Sequence, residues 1–225
     1  MTGNHDKLGL SKEQIDSVIA LYSAGKFEKA IDEIKILNNL YPNVPLLFNL
    51  IGACYKSLGQ LQGAITMFEE AIKIKPDYSE AYKNLGITMI SLGNLDESVK
   101  YLRKALVYNS KYTVAYFFLA SSLKDLGRLD EAVKSYENAI SINPNFAEAH
   151  NNLGNLFKDL NRKDDAVKSY ENALSINPNF AEAHNNLGNL FKDLNRKDDA
   201  VKSYENALSI NPNFAEAHNN LGNLF

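Results

Sequence analysis

Apolar residues recur along this chain at helical spacing, in paired stretches that are separated by short polar turns. From Ala147 to Leu160 they return every three or four positions, which predicts one amphipathic helix. From Ala166 to Leu174 the same spacing predicts a second helix. The predicted buried stripes are Ala149, Leu153, Leu156, Phe157 and Leu160, then Ala166, Val167, Tyr170, Ala173 and Leu174. Two such helices joined by a short turn form an antiparallel hairpin.

The pattern has a period of 34 residues, and the later copies are identical. Residues 147–180 recur unchanged as 181–214, and less similar copies precede them in the same frame. Such self-similarity predicts a stack of hairpins, so we expect a leader at 1–10 and then one array. Identical neighbouring copies indicate recent duplication or engineering. The predicted repeats are 11–44, 45–78, 79–112, 113–146, 147–180, 181–214 and a partial copy at 215–225.

Several columns of the repeat, numbered here from Ala147 as position 1, have a direct physical interpretation. Small residues at positions 8, 20 and 27 allow two helices to approach closely. Glycine or asparagine at position 15 suits a left-handed residue just after a helix. Proline at position 32 ends the second helix, because it lacks an N–H and clashes with the preceding turn. We expect the first helix near positions 2–14 and the second near 18–31.

These columns resemble the tetratricopeptide repeat family. They are Leu153-Gly154, Phe157, Ala166, Tyr170, Ala173 and Pro178. The resemblance covers Ser11 to Phe225 and implies an all-α fold, an α-solenoid of antiparallel helical hairpins in a right-handed superhelix. It also implies a non-catalytic protein–protein interaction module whose first helices line a concave, peptide-binding groove. One departure is histidine in place of the usual aromatic residue at position 4, in His150, His184 and His218.

Charge and composition narrow the classes of partner. The net charge is −3 and lysines alternate with aspartates, so no basic patch favours nucleic acid. No apolar run suits a secretory signal or a membrane span, and we expect a cytoplasmic protein with no membrane partner. The single cysteine, Cys54, excludes an intrachain disulfide and is expected to be a buried thiol on the apolar face of its helix.

Candidate catalytic and metal-binding groups have simpler structural explanations. The three repeated histidines belong to first helices expected about 8–10 Å apart, too far for one zinc ion with bonds of about 2 Å. Asp164 and Asp165 open the second helix, where negative charge suits the helix dipole. No phosphate-binding glycine loop or nucleophile elbow occurs. We therefore expect no enzyme, no cofactor and no metal.

The polar face of the first helix is the candidate binding surface. Glu148, Asn152, Asn155 and Asp159 follow one another by three or four residues, so they form one stripe. An asparagine amide carries both donor and acceptor, and can pair with a peptide backbone without reading its side chains. The predicted peptide-binding residues are Asn84, Asn151, Asn152, Asn155, Lys158, Asn185, Asn186, Asn189, Lys192, Asn219, Asn220 and Asn223.

Two resemblances bear on this surface. The segment AEAHNNLGNL is similar to repeats in the arm of O-linked N-acetylglucosamine transferases and in bacterial tetratricopeptide repeat proteins. In the transferases, the asparagine two places before the glycine holds extended polypeptide, a role implied here for Asn84, Asn152, Asn186 and Asn220. The carboxylate clamp of chaperone-binding members needs lysine at position 5 and asparagine at position 9. That pattern is broken in every repeat, so no chaperone C-terminus is expected to bind.

Alternative functions stay open at this point. The array is either an independent peptide-binding module or the substrate-recruiting arm of a larger transferase or oxygenase. The sequence stops at Phe225, position 11 of a repeat, which favours a chain cut short. A third alternative is a self-assembling structural array. In that case Leu221, Leu224 and Phe225 are expected to be partly bare, and the helix at 215–225 would form a homo-oligomer contact.

Overall fold

The structure, a computed structural model, describes residues 9–224. Within that range it contains thirteen α-helices and no strand. The helices are α1 (Lys12–Ser23), α2 (Phe27–Leu40), α3 (Pro45–Ser57), α4 (Leu61–Ile74), α5 (Ser79–Ser91), α6 (Leu95–Tyr108), α7 (Thr113–Asp125), α8 (Leu129–Ile142), α9 (Ala147–Asp159), α10 (Lys163–Ile176), α11 (Ala181–Asp193), α12 (Lys197–Ile210) and α13 (Ala215–Gly222). The predicted all-α class is confirmed.

The chain divides into two compact units, with the boundary between Ser122 and Leu123 inside α7. In the first unit α3 packs on α4 and α5 on α6, and in the second α9 packs on α10 and α11 on α12. A three-residue turn joins the partners of each pair, so they run antiparallel as hairpins. Second helices also pack on the first helix that follows them, as α4 does on α5 and α10 on α11. A single uninterrupted array over 11–225 remains a prediction.

A glycine facing a large side chain brings the two helices of a hairpin together. A Cβ atom added to Gly154 in α9 would lie 2.7 Å from Cε1 of Tyr170 in α10. The equivalent distance from Gly188 to Tyr204 is 2.6 Å. Both tyrosine side chains are fully buried. Close packing of this kind leaves no room for a methyl group, which explains why position 8 is small.

The turn inside each hairpin needs a left-handed residue, as predicted. Position 15 has φ between 70° and 75° at Gly25, Gly59, Gly93 and Gly127, and φ of 57° where asparagine replaces glycine, at Asn161 and Asn195. Helices α9 and α10 begin and end one residue earlier than the sequence pattern predicts, because they cover positions 1–13 and 17–30. The first helix ends early because position 14 caps it: the Leu160 N–H still reaches the Leu156 carbonyl, but the Leu160 backbone has left the helix.

Two further predictions can be compared with the structure. Cys54 is buried, and this burial raises the pKa of its thiol to about 11. Leu221 and Leu224 are partly buried, whereas Phe225 lies outside the described residues. Self-association through 215–225 therefore remains a prediction. None of the described helices is long and apolar enough to span a membrane.

Replacing Gly154 by alanine should lower the free energy of unfolding by about 1–3 kcal/mol, because the new methyl group overlaps the Tyr170 ring. Urea unfolding followed by circular dichroism measures the effect. Gly222 is the matched control, since it stands at the same repeat position with nothing within 4 Å of its added Cβ. Gly222→Ala should be neutral or slightly stabilising. Equal stability of the two variants would show that the ring moves aside at no cost.

Candidate functional site

Asparagine side chains connect the first helices of successive hairpins in the second unit. Asn186 Nδ2 donates to Asn151 Oδ1 at 3.1 Å, and Asn220 Nδ2 donates to Asn185 Oδ1 at the same distance. The paired residues are 35 apart, so position 6 of one repeat bonds to position 5 of the repeat before it. Asn185 Nδ2 in turn donates to Glu216 at 2.9 Å. We call each Asn–Asn pair a rung.

The first unit contains one rung of the same kind. Asn84 Nδ2 donates to Asn49 Oδ1 at 2.9 Å, again across 35 residues. Asn49 is buried, and the sequence analysis did not select it. Its place at position 5, which Asn151 and Asn185 also occupy, was the signal available. One repeat earlier, the same two positions hold Ile15 and Leu50, which are both partly buried and pack against one apolar cluster. Two apolar residues therefore occupy there the positions that form a rung elsewhere.

Burial corrects the prediction for two of the candidate residues. Asn151 and Asn185 were predicted to lie on the binding surface. Each is only 1% exposed, so neither can contact a ligand there. Their side chains lie between neighbouring first helices, where an unpaired amide would be costly, and the rung supplies the missing partner. Asn152, Asn186 and Asn220 are partly exposed. Asn219 and Asn223, near the end of the described chain, are exposed.

The second row of asparagines is bonded to the buried tyrosines. The Tyr170 hydroxyl donates to Asn155 Oδ1 at 2.7 Å, and the Tyr204 hydroxyl donates to Asn189 Oδ1 at 2.8 Å. Burial raises the pKa of Tyr204 to about 12, with Asp193 and Glu216 contributing, so its hydroxyl keeps its proton at neutral pH. Asn155 and Asn189 are partly exposed and retain both amide hydrogens for other partners.

Charged residues repeat the 35-residue offset at positions 12 and 13. Lys158 pairs with Asp193 at 3.6 Å, and Lys124 pairs with Asp159 at 3.9 Å. These side chains are about a third to a half exposed, so each pair contributes little to stability. The pairs repeat one lysine–aspartate contact between successive first helices. Lys192, at the equivalent position of the next repeat, is exposed.

The repeated histidines have a local structural role. Nε2 of His150 lies 3.1 Å from the carbonyl oxygen of Pro144, six residues earlier. His184 and His218 make the same contact with Pro178 and Pro212, at 3.0 and 2.9 Å. A carbonyl can only accept, so Nε2 donates and ties the inter-repeat loop to the next helix. No group of three or more metal-ligating side chains occurs within residues 9–224.

Two cavities lie along α1 and α3 in the first unit, where the sequence analysis placed only Asn84. One, of about 280 Å³, is lined by Tyr22, Ala53, Lys56, Ser57, Phe68 and Asn84. The other, of about 530 Å³, is mostly apolar and is lined mainly by Ile15, Ile19, Leu46 and Leu50, with Lys75, Tyr78 and Glu80 also contributing. Their linings come from several repeats, so no single stretch of sequence could have revealed them.

Family models match most of the chain. A TPR repeat model matches residues 52–91, 120–161, 154–195 and 188–225, and a tetratricopeptide repeat model matches 79–112. The chain belongs to the tetratricopeptide repeat family. It is therefore a protein–protein interaction module, since repeats of this family are in general non-catalytic scaffolds. A search of curated protein sequences found no match.

Solved structures of tetratricopeptide repeat proteins share the fold. MamA is 27% identical, with a TM-score of 0.68 over 74% of this chain and 97% of MamA. YrrB, described as a TPR protein with an unusual peptide-binding site, is 18% identical with a TM-score of 0.68, covering 83% of this chain and 96% of its own. PilW, a type IV pilus biogenesis factor, is 18% identical with a TM-score of 0.82, covering 93% and 99%.

The Asn151–Asn186 rung can be measured by a double-mutant cycle. Asn151→Ala should cost about 1–3 kcal/mol, because it leaves the partly buried Asn186 amide without its acceptor. The double variant with Asn186→Ala should cost less than the sum of the two single changes. Asn172→Ala, at an exposed position on α10, is the control and should change stability by less than about 0.5 kcal/mol. Strictly additive effects would show that the rung contributes nothing.

Proposed function

We propose that the first-helix surface of the second unit binds extended polypeptide through its backbone, using Asn152, Asn186 and Asn220. The observation that carries this proposal is the geometry of the rungs. Asn186 and Asn220 each use one amide hydrogen to reach the preceding repeat. Each retains a second hydrogen and its own Oδ1, a donor and an acceptor that match the carbonyl and N–H of a peptide unit.

The spacing of the helices suits such a ligand. Neighbouring packed helices lie about 8–10 Å apart, and an extended peptide advances about 3.3 Å per residue. One asparagine would therefore meet the ligand about every third residue. Because the contacts are to the backbone, the surface would accept many sequences and would favour segments that are already extended.

Neighbouring residues have distinct roles in this proposal. Asn151 and Asn185 are buried, so they orient the position-6 amides and do not touch the ligand. Asn155 and Asn189 accept from tyrosine and can donate to peptide carbonyls. Lys158 and Lys192 would border the surface with positive charge, while Asn219 and Asn223 would extend it. Asn84 would serve the same purpose in the first unit, held by Asn49.

Family membership supports a protein or peptide partner. YrrB, which has the same fold, is described as having a peptide-binding site, so hairpins of this kind can accommodate one. The resemblance of AEAHNNLGNL to transferase-arm repeats points the same way.

The test replaces the rungs by the chain's own apolar alternative. Alanine at Asn186 or Asn220 alone would also orphan a buried carbonyl, and would confuse loss of binding with loss of stability. Asn151→Ile with Asn186→Leu, and Asn185→Ile with Asn220→Leu, instead reproduce the Ile15 and Leu50 pair. The four-site variant should keep the thermal stability of the wild type, because matched apolar groups replace a satisfied polar pair.

Binding is then measured on an array of overlapping peptides taken from disordered, extended segments. The wild-type protein should retain a set of peptides, and the four-site variant should lose most of them. Asn172→Leu, which adds the same side chain on an exposed site of α10, should bind like the wild type. Equal binding by the four-site variant and the wild type would refute the proposal.

A further inference from the structure

Lys56 stands at position 12 of its repeat, as Lys124 and Lys158 do, but differs from those two in its partners. Lys124 and Lys158 each pair with an aspartate at position 13 of the next repeat. For Lys56 that position holds Ser91. Among the described residues Lys56 makes no ion pair or hydrogen bond, although it is partly buried. The 35-residue offset that gives Lys124 and Lys158 an aspartate therefore gives the Lys56 ammonium group no carboxylate.

A second lysine increases the positive potential at this place. Burial lowers the pKa of Lys56. Burial also lowers the pKa of Lys83, on the neighbouring first helix; Glu80 opposes that shift, and the charge of Lys56 adds to it. Two ammonium groups therefore influence each other in a partly desolvated region. An anion placed between them would be favoured by both charges.

The cavity beside Lys56 provides the other groups that a carboxylate needs. Its lining includes the Ser57 and Tyr22 hydroxyls, whose oxygens lie 3.1 Å apart, and the Asn84 amide. None of the described lining residues is acidic. Hydroxyl and amide hydrogens beside an ammonium group form the short, charge-assisted hydrogen bonds typical of carboxylate recognition.

The apolar cavity continues along the same two helices. Ile15 and Ile19 precede Tyr22 on α1, and Leu46 and Leu50 precede Lys56 on α3. Leu50 and Lys56 are six residues apart in α3, which corresponds to a rise of about 9 Å along the helix axis. An extended peptide covers that distance in about three residues.

We propose that the first unit binds an extended acidic peptide, with an aspartate or glutamate carboxylate beside Lys56 and an apolar side chain, about three residues away, in the cavity lined by Ile15, Ile19, Leu46 and Leu50. This site is separate from the asparagine surface of the second unit and recognises side chains where that surface recognises backbone. It also differs from the carboxylate clamp, because its lysine stands at position 12 of the repeat and not at position 5.

Defined peptides test the carboxylate requirement. The probes are fluorescein-labelled Gly-Leu-Ser-Ser-Asp-Gly, its reversed sequence, and the same peptides with asparagine in place of aspartate, all amidated to remove the terminal carboxylate. In fluorescence polarisation at low salt, at least one aspartate peptide should bind about tenfold more tightly than its asparagine counterpart, as expected for one charge-assisted hydrogen bond. Equal affinity of each aspartate peptide and its counterpart would overturn the proposal.

Two variants test the role of Lys56 by independent routes. Lys56→Met removes the charge and keeps an apolar side chain of similar length. Ser91→Asp keeps the lysine and supplies the internal carboxylate that Asp159 gives to Lys124. Both should abolish the preference for aspartate over asparagine. Lys35→Met, on an exposed site of α2, and Ser91→Asn, which is neutral, should preserve it.

Thermal unfolding of all the variants shows whether any of them has a folding defect. Ser91→Asp should be as stable as the wild type, because the Lys124–Asp159 pair shows that the fold accommodates a carboxylate at this repeat position. The four-site variant of the second unit should retain the aspartate preference, which separates this proposal from the one above. Retention of that preference by both Lys56→Met and Ser91→Asp would refute the site, and so would its loss in the four-site variant.

Discussion

The contact between a glycine on the first helix and a large side chain on the second brings the two helices together in four of the hairpins, at Gly52, Gly86, Gly154 and Gly188. Gly154 and Gly188 accept the faces of Tyr170 and Tyr204, and Gly52 accepts Phe68 in the same way. Since no Cβ intervenes, the helix axes come close, and the tyrosine hydroxyl reaches the asparagine that directly follows the glycine on the first helix. The depth of the contact therefore determines which residues of the first helix remain on its outer surface.

Side-chain contacts between successive hairpins join residues that are 35 positions apart. The same offset relates Asn151 to Asn186, Tyr22 to Ser57 and Lys124 to Asp159. One geometry thus produces an amide rung, a hydroxyl pair or an ion pair, depending only on the residues that occupy it. A repeat can gain or lose a recognition group by one substitution, because its neighbours keep the backbone in place. Lys56 illustrates such a change, because the residue 35 positions later is Ser91 and not an aspartate.

Much of the fold could be predicted, since its causes are local. Hydrophobic spacing gave the helices, and the left-handed conformation expected at Asn161 and Asn195 is present. The end of α9 was predicted one residue too late, because position 14 caps the first helix instead of continuing it. The candidate site was harder to predict from the sequence. Asn151 and Asn152 are adjacent polar residues, yet one is buried and the other partly exposed.

The sequence by itself determined the period, the hairpin unit and the family, because each follows from residues within one repeat. The tertiary structure decided which asparagines are buried partners of another asparagine and which keep an exposed amide, since burial at Asn151 and Asn185 comes from the packing of adjacent repeats. It also placed the hydroxyls of Tyr22 and Ser57 beside Lys56, on helices from two different repeats. Exposure and partnership depend on distances across the stack, which no pattern within a repeat specifies.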